Sequence, residues 1–157
     1  MRSDYLNDNS SLSNKKLKVK KITESYTLTS ADSGSLVLVN PTAAVDLTLP
    51  TITEEYIGWY VKIVLGEDAA GADTGMSHIV NIDMGSGTNL ANIGMIQEVD
   101  GAAGDKAVAN DDWIVNTADS NPGNTFDIWC DGYRWYVQGV VGDLTDSAFS
   151  TGKDSIA

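Results

Sequence analysis

The chain repeats one pattern, short runs of apolar and β-branched residues that are separated by Gly, Asn, Asp and Pro. Residues 45–49 are the clearest case, because Val45, Leu47 and Leu49 alternate with polar residues and Pro50 ends the run. A period of two places every second side chain on the same face of a strand. No segment carries a sustained helical stripe. The pattern therefore predicts an all-β fold, either an antiparallel β-sandwich or a jelly-roll-like barrel with an extended N-terminal arm.

The runs that we expect to form strands are residues 22–30, 36–40, 45–49, 58–65, 78–84, 90–99, 113–115, 125–130 and 134–141. Asp131-Gly132 lies between the last two runs and predicts a hairpin turn, because Gly readily adopts the positive φ that such a turn requires. Short helices are expected only at Thr53–Tyr56 and Ala102–Val108. The second of these lies in a segment, Gly101–Asn110, that is otherwise expected to be a loop.

Charge divides the 157 residues into two parts. Residues 1–21 carry six Lys or Arg against two Asp, a net charge of +4, and the remaining 136 residues carry four against 20 acids, a net charge of −16. A hydrophobic content of 42% is sufficient for one core. We therefore expect an extended basic arm at 1–21, a β-sandwich or jelly-roll body at 22–142 and a polar C-terminal tail at 143–157.

Three interpretations of the basic arm are open: a solubilising arm, a nucleic-acid contact, or an arm that docks onto an acidic protein surface or adds a strand to one. The charge of the body disfavours the second, because phosphate contacts need clustered cations that the body lacks. We adopt the third, with the first as its alternative. The contact residues that it predicts, on an acidic partner protein or a neighbouring subunit, are Leu6, Leu12, Lys15, Lys16, Leu17, Lys18, Val19, Lys20 and Lys21.

Catalytic motifs are missing from the sequence. Neither the phosphate-binding loop Gly-x-x-x-x-Gly-Lys-Ser/Thr nor the nucleophile elbow Gly-x-Ser-x-Gly occurs. His78, the single histidine, lies in an alternating run and is expected to be a structural or surface residue rather than a general base. Cys130, the single cysteine, is expected to be a small core residue, because no basic neighbour would lower its pKa. We therefore predict no enzymatic activity, no catalytic residue and no cofactor.

Acidic residues in two Gly-rich loops are the only candidates for a metal site, and Ca²⁺ is the cation that such loops could hold. The acids are Glu67, Asp68 and Asp73 in one loop and Asp100, Asp105, Asp111 and Asp112 around the other. Neither loop has the spacing of an EF-hand, and solvated loops have the same composition. One Cys and one His exclude a Cys- or His-rich site within one chain. No metal site is predicted.

Aromatic residues fall within the expected strands and are interpreted as core and hairpin packing, with some facing a partner subunit. A sugar-binding platform is the alternative interpretation. The residues concerned are Trp59, Tyr60, Trp113, Trp129, Trp135 and Tyr136.

Two segments resemble the opening and closing parts of structural modules from tailed bacteriophages. Residues 26–50 combine a polar strand, an Asp-Ser-Gly turn, an apolar strand that ends in Asn, and an alternating strand closed by Leu-Pro. Residues 126–139 match the closing hairpin, which has an apolar strand, an Asp-Gly turn and then Trp-x-Val-x-Gly. Such modules occur in head decoration (cement) proteins, head fibres and tail fibres.

The chain is most similar to a capsid decoration protein, because it is short and has no stalk repeat or coiled coil. The resemblance implies a homotrimer on the outer capsid surface of the virion, made in the host bacterial cytoplasm. It implies binding to the major capsid protein where hexamers and pentamers meet, which would stabilise the shell against the pressure of the DNA. The acidic body argues against a nucleic-acid partner. The absence of a long apolar stretch and of a signal-peptide run argues against a membrane.

Two other functions are kept as alternatives. A head-fibre or tail-fibre head domain would bind a host receptor or glycan, and it predicts exposed aromatic side chains such as Tyr133 or Trp135. A wall-degrading hydrolase would require His78 or a pair of carboxylates in a cleft.

Overall fold

The fold was analysed in a computed structural model that describes residues 17–67, 78–84, 93–99, 106–109, 113–116, 122–142 and 149–152. These residues contain twelve strands. The strands are β1 (Lys18–Ile22), β2 (Tyr26–Thr27), β3 (Ser35–Val39), β4 (Val45–Thr48), β5 (Tyr60–Leu65), β6 (Val80–Asp83), β7 (Ile93–Glu98), β8 (Lys106–Ala109), β9 (Trp113–Asn116), β10 (Thr125–Cys130), β11 (Trp135–Val141) and β12 (Phe149–Gly152). Two 3-10 turns lie at Ser30–Asp32 and Glu54–Tyr56. The all-β prediction is therefore confirmed for the described part of the chain.

The strands form two sheets, and the first six strands alternate between them. The seven-stranded sheet has the order β1-β3-β5-β10-β11-β7-β8, and the five-stranded sheet has the order β12-β9-β6-β4-β2. β1, β3 and β5 are parallel neighbours in one sheet, and β2, β4 and β6 are parallel neighbours in the other. The chain therefore crosses from one sheet to the other after each of these strands and returns beside the strand that it left.

Antiparallel pairing was expected throughout, and this expectation is wrong for half of the ten strand pairs in the described part. A parallel pair needs a crossover connection, and here the crossover passes through a strand of the opposite sheet rather than through a helix. Alternation in a sequence shows which side chains are buried together, but it carries no information about the direction of the neighbouring strand. Both sheets are therefore mixed.

Buried apolar side chains from both sheets belong to a single hydrophobic core. The seven-stranded sheet contributes Val37, Val39, Val61, Ile63, Leu65, Ile96, Phe126, Ile128, Trp135 and Val137, and the five-stranded sheet contributes Val45, Leu47, Val80, Ile82 and Ile114. Trp135 is fully buried and packs edge-to-face on Trp59, with the ring centroids 5.2 Å apart. The indole N–H of Trp59 donates to the Thr29 carbonyl at 3.0 Å, which satisfies its polar atom within the core.

The hairpin predicted at Asp131-Gly132 is confirmed, and it joins β10 to β11. Gly132 has a φ of +91°, a region that residues with a Cβ rarely adopt. The Asp131 carboxylate accepts hydrogen bonds from the backbone N–H groups of Tyr133 at 2.8 Å and Arg134 at 2.9 Å. Burial acts to raise the pKa of Asp131, but these hydrogen bonds outweigh it and the pKa is lowered. The ionised carboxylate therefore holds the turn.

Three short segments differ from their expected structure. The 3-10 turn at Glu54–Tyr56 falls inside the helix predicted at residues 53–56. The helix predicted at Ala102–Val108 is wrong at residues 106–108, which belong to β8 and pair antiparallel with β7. β12 lies in the segment expected to be a polar tail and pairs with β9. A helix of seven residues, as predicted at 102–108, forms too few hydrogen bonds to offset the free-energy cost of nucleation. Pairing with a neighbouring strand supplies backbone hydrogen-bond partners without that cost.

We expect Gly94→Ala to destabilise the fold. Gly94 lies on β7 beside Val137 of β11, and a Cβ at residue 94 would lie 2.1 Å from the Val137 carbonyl oxygen. Because the clash is with backbone, the strands must separate, and we expect a loss of about 1–3 kcal/mol of unfolding free energy. Urea denaturation measures the loss. Gln97→Ala, at an exposed position on β7, is the control and should be near neutral. Equal stability of the two variants would contradict the close approach.

Candidate interaction surface

The end of the basic arm is part of the folded body. Lys18–Ile22 forms β1, which lies at the edge of the seven-stranded sheet and runs parallel to β3. The Ile22 side chain is buried in the core, and its carbonyl accepts a hydrogen bond from the Asn40 N–H at 2.8 Å. The segment that precedes β1 is therefore joined to the body at a fixed point on the sheet edge.

Lys20 points inward from this edge strand, at the level of Val37 in the core. Its Nζ lies 2.8 Å from Oδ1 of Asp32 and 3.6 Å from the centroid of the Tyr26 ring. Asp32 is only 4% exposed, and its second oxygen also accepts hydrogen bonds from the Thr29 N–H at 2.8 Å and the Thr29 hydroxyl at 3.0 Å. Both charged groups are therefore fully partnered at the end of the core.

The pKa values of this pair follow from the balance between burial and hydrogen bonding. Burial acts to raise the pKa of Asp32, but the hydrogen bonds from Lys20 and Thr29 outweigh it and the pKa is lowered. Burial acts to lower the pKa of Lys20, but its contacts with Asp32 and Tyr26 outweigh it and the pKa is raised. Both groups are therefore charged at neutral pH. Lys18 adds a further contact, because its Nζ donates to the Ala31 carbonyl.

The predicted arm contacts divide into three groups. Leu17 and Val19 are exposed, at 63% and 51%, and Lys21 is also exposed. Lys18 and Lys20 point to the opposite side of β1 and contact residues of the body. Four predicted residues lie outside the described part of the chain, and they are Leu6, Leu12, Lys15 and Lys16. Of the described arm residues, Leu17, Val19 and Lys21 are therefore the ones that are exposed and take no part in these side-chain contacts with the body.

The outward side of the seven-stranded sheet is predominantly apolar, and we call it the outer face. Its apolar residues are Val19, Leu36, Leu38, Tyr60, Val64, Ile93, Met95, Trp129, Tyr136 and Val140, and the strand registers place them in three rows across the sheet. Met95 is 55% exposed, Ile93 42%, Val140 40% and Trp129 37%. Large side chains are thus accessible on six neighbouring strands.

The Lys62, Asp127 and Tyr60 side chains of the outer face are paired with one another. The Lys62 ammonium lies 3.0 Å from the Asp127 carboxylate on the next strand, and the Tyr60 hydroxyl donates to the same carboxylate. That hydrogen bond, with a smaller contribution from burial, raises the pKa of Tyr60 to about 12. Trp129 stacks on Tyr136 with their ring centroids 5.7 Å apart. The Tyr136 hydroxyl lies 2.9 Å from the Asp131 carboxylate of the hairpin turn.

The outward side of β4 and β6, in the five-stranded sheet, has the opposite character. Asp46 pairs across the strands with Asn81, and Thr48 pairs with Asp83. Asp46 is exposed, and the Asn81 amide lies 3.4 Å from its carboxylate. These two strands therefore present acidic and polar groups, whereas the outer face of the other sheet presents mainly aromatic and aliphatic groups.

The catalytic candidates are not assembled into a site in the described residues. His78 is half-buried and lies two residues before β6. Cys130 is buried in the core, as predicted, and burial raises the pKa of its thiol. Within the part of the chain that the structure describes, no three His, Cys, Asp or Glu residues are grouped so that they could hold a metal ion. Of the acidic-loop candidates, Glu67 is described and exposed, and Asp68, Asp73, Asp100, Asp105, Asp111 and Asp112 lie outside the described residues.

The aromatic candidates separate into core and surface residues. Trp59 and Trp135 are buried, whereas Tyr60 and Trp129 are exposed on the outer face. The receptor-binding alternative predicts that Trp135 and Tyr133 are exposed. This prediction is wrong for Trp135, which is buried, whereas Tyr133 in the hairpin turn is 59% exposed. The side chain of Trp113 is outside the described part of the structure.

The outer face was not predicted from the sequence as a unit, although a signal for it is present. β3 and β5 carry apolar residues at both inward and outward positions, as in Ser-Leu-Val-Leu-Val and Tyr-Val-Lys-Ile-Val-Leu. Such runs are typical of strands that are covered on both sides. Here only one side of these strands packs into the core.

A scan against protein-family models finds no match for this chain, and a search of curated proteins finds none either. Among the described residues, no helix has the length and apolar character needed to cross a membrane.

We expect Asp32→Asn to detach β1, because it removes the charge that partners Lys20 in the core. Hydrogen bonds to charged groups are worth about 1.5–3 kcal/mol, and we expect a loss of that order in urea denaturation at pH 7. Asp46→Asn is the matched control, because Asp46 is exposed and should be near neutral. Losses of equal size would show that Asp32 has no special role.

The same pair predicts how stability depends on pH. Because the pKa of Asp32 is lowered on folding from an ordinary value of 3.8, its contribution is complete above that value and is lost as the pH falls through the lowered pKa. The difference in stability between the native chain and Asp32→Asn should therefore shrink in acid. A difference that stays constant into strong acid would contradict an ionised Asp32.

Proposed function

We propose that this chain is a non-enzymatic structural protein of a tailed-phage virion, a decoration protein that binds the major capsid protein on the outer capsid surface and stabilises the shell. The observation that carries the proposal is the anchored root of the basic arm. β1 is held at the sheet edge by Lys20 and Asp32, while Leu17, Val19 and Lys21 remain exposed beside it. The resemblance of residues 26–50 and 126–139 to phage modules supplies the identity of the partner.

The arm has the reach that a contact between proteins requires. Sixteen residues precede Leu17, and at ~3.3 Å per residue an extended chain of that length spans about 50 Å. Because β1 fixes the point at which the arm joins the body, binding of the arm would place the body at a defined position on its partner. A homotrimer would carry three such arms, and their linked binding would raise the overall affinity.

Charge supports a protein partner rather than nucleic acid. The body carries a net charge of −16, which repels phosphate, and Lys20 is neutralised internally by Asp32. The other cations of residues 1–21 suit an acidic protein surface. Binding of this kind works through buried area, at about 25 cal/mol per Å² of apolar surface before the costs of association are subtracted.

The architecture that we propose for the body is a β-sandwich with mixed sheets. The support for it is the single core to which the buried residues of both sheets belong. A body of this kind needs no catalytic residue or cofactor for its function. We also propose that the protein is made in the cytoplasm of the host bacterium.

Deletion of residues 2–16 should abolish binding to capsids assembled without this protein. This deletion spares β1, so the body should keep its stability in urea denaturation. Deletion of residues 1–21 would also remove Lys20 and the three other β1 residues before Ile22, so a loss of binding would not identify the arm. A control variant replaces residues 2–16 with a Gly/Ser segment of equal length and should also fail to bind. Cosedimentation with capsids is the measurement, and full binding by the deletion variant would overturn the proposal.

A further inference from the structure

We propose that the outer face of the seven-stranded sheet is the surface through which this chain binds a second copy of itself. The proposal concerns the exposed side chains of Tyr60, Ile93, Met95, Trp129 and Val140, together with Val19 at the edge. Exposed apolar patches of this continuity mark interaction sites more often than isolated exposed residues do.

The contrast between the two sheets is the first argument. In the strands of a sheet that faces water on one side, buried apolar residues alternate with outward polar residues. β4 and β6 follow this rule, because their outward positions are Asp46, Thr48, Asn81 and Asp83. The seven-stranded sheet departs from this rule at most of its outward positions. The outward side of β4 and β6 is therefore suited to water, and the outer face of the seven-stranded sheet to contact with protein.

The second argument is that the charged centre of the outer face can lose water at low cost. Asp127 lies at the centre of the face, and its carboxylate is already paired with Lys62 and the Tyr60 hydroxyl. The Tyr136 hydroxyl is already paired with Asp131. Burying a polar group is costly mainly when it has no partner, and these groups bring their partners with them.

Charge favours this face for a contact between two copies. The chain carries a net charge of −12, so most approaches between two copies are repulsive. Among the described outward positions of the seven-stranded sheet, Lys21 and Lys62 stand against Asp127 alone. Two copies that meet through this face avoid acidic contacts and place the Asp46 and Asp83 side of each body away from the junction.

The size of the face is adequate for a stable complex. Six strands at ~4.8 Å spacing, each about six residues long at ~3.3 Å per residue, cover on the order of 600 Å² in projection. Side chains make the accessible area larger than the projection, and a standard interface buries about 800 Å² per partner. The face is therefore of the size that a specific interface uses.

Sedimentation velocity on the full chain, without capsids, tests the proposal. We expect species at multiples of 16.7 kDa. Val140→Lys and Met95→Lys should each weaken self-association by at least about tenfold, because they bury an unpaired ammonium in the interface. Ile79→Lys is the matched control, because Ile79 is 44% exposed, compared with 40% for Val140, and lies beside the five-stranded sheet. Lysine lowers the net negative charge of the chain, so a loss of association cannot come from a stronger long-range repulsion between two acidic chains.

The dependence on salt separates this contact from one made by the basic arm. A contact through the outer face should strengthen from about 0.05 M to about 0.5 M NaCl, because salt screens the repulsion between two acidic chains. A contact between the basic arm and a neighbouring acidic body would weaken over the same range, and deletion of residues 2–16 would abolish it. Circular dichroism and urea denaturation confirm that each lysine variant is folded.

Three results would overturn the proposal: a monomer at all concentrations, equal weakening by Ile79→Lys, or association that salt weakens and the arm deletion removes. The proposal shares the expectation of self-association with the proposed function but does not depend on a capsid. A variant that is monomeric and still binds capsids would support the arm's role and the outer-face interface separately. A self-associating protein that binds no capsid would overturn the proposed function alone.

Discussion

One hydrophobic core, to which both sheets contribute, determines which side of every strand faces inward. Because side chains alternate along a strand, burial of Val37 and Val39 forces Leu36 and Leu38 to the outside. In the sheet order β1-β3-β5-β10-β11-β7, the strand registers align the outward residues of each strand with those of the next. The outward residues of these six strands therefore lie on one face. The apolar outer face is thus a consequence of the register that the core imposes.

The local features of the fold could be predicted from the sequence, and the long-range ones could not. Alternation at residues 45–49 and the Asp131-Gly132 turn involve neighbours in the chain, and both were predicted correctly. Parallel pairing of β1, β3 and β5 depends on segments 17 to 26 residues apart, as in the stack of Val19, Leu36 and Lys62. β8 and β12 were not predicted, because they lie in segments expected to be a loop and a polar tail, and their strand character depends on pairing with a neighbour.

The candidate surface shows the same division. A basic segment at 15–21 is visible in composition, but the selection of Lys20 for the interior depends on Asp32, which is twelve residues away and is placed by a 3-10 turn. Aromatic residues were interpreted mainly as core, which is correct for Trp59 and Trp135. Tyr60 and Trp129 are of the same residue classes and lie in adjoining runs, but their parity places them outside. Only the register of the folded sheet separates the two groups.

The ion pair between Lys20 and Asp32 has a mechanical consequence. β1 contains three similar lysines within four residues, so a slip by one position would change its composition little but would turn every side chain to the other face. Only Lys20 meets the buried carboxylate, and this contact sets the register of β1 against β3. A pull on Leu17 along the strand therefore loads all five paired residues and the ion pair together, in shear, rather than one after another. Tension in the arm would pass directly into the core of the body.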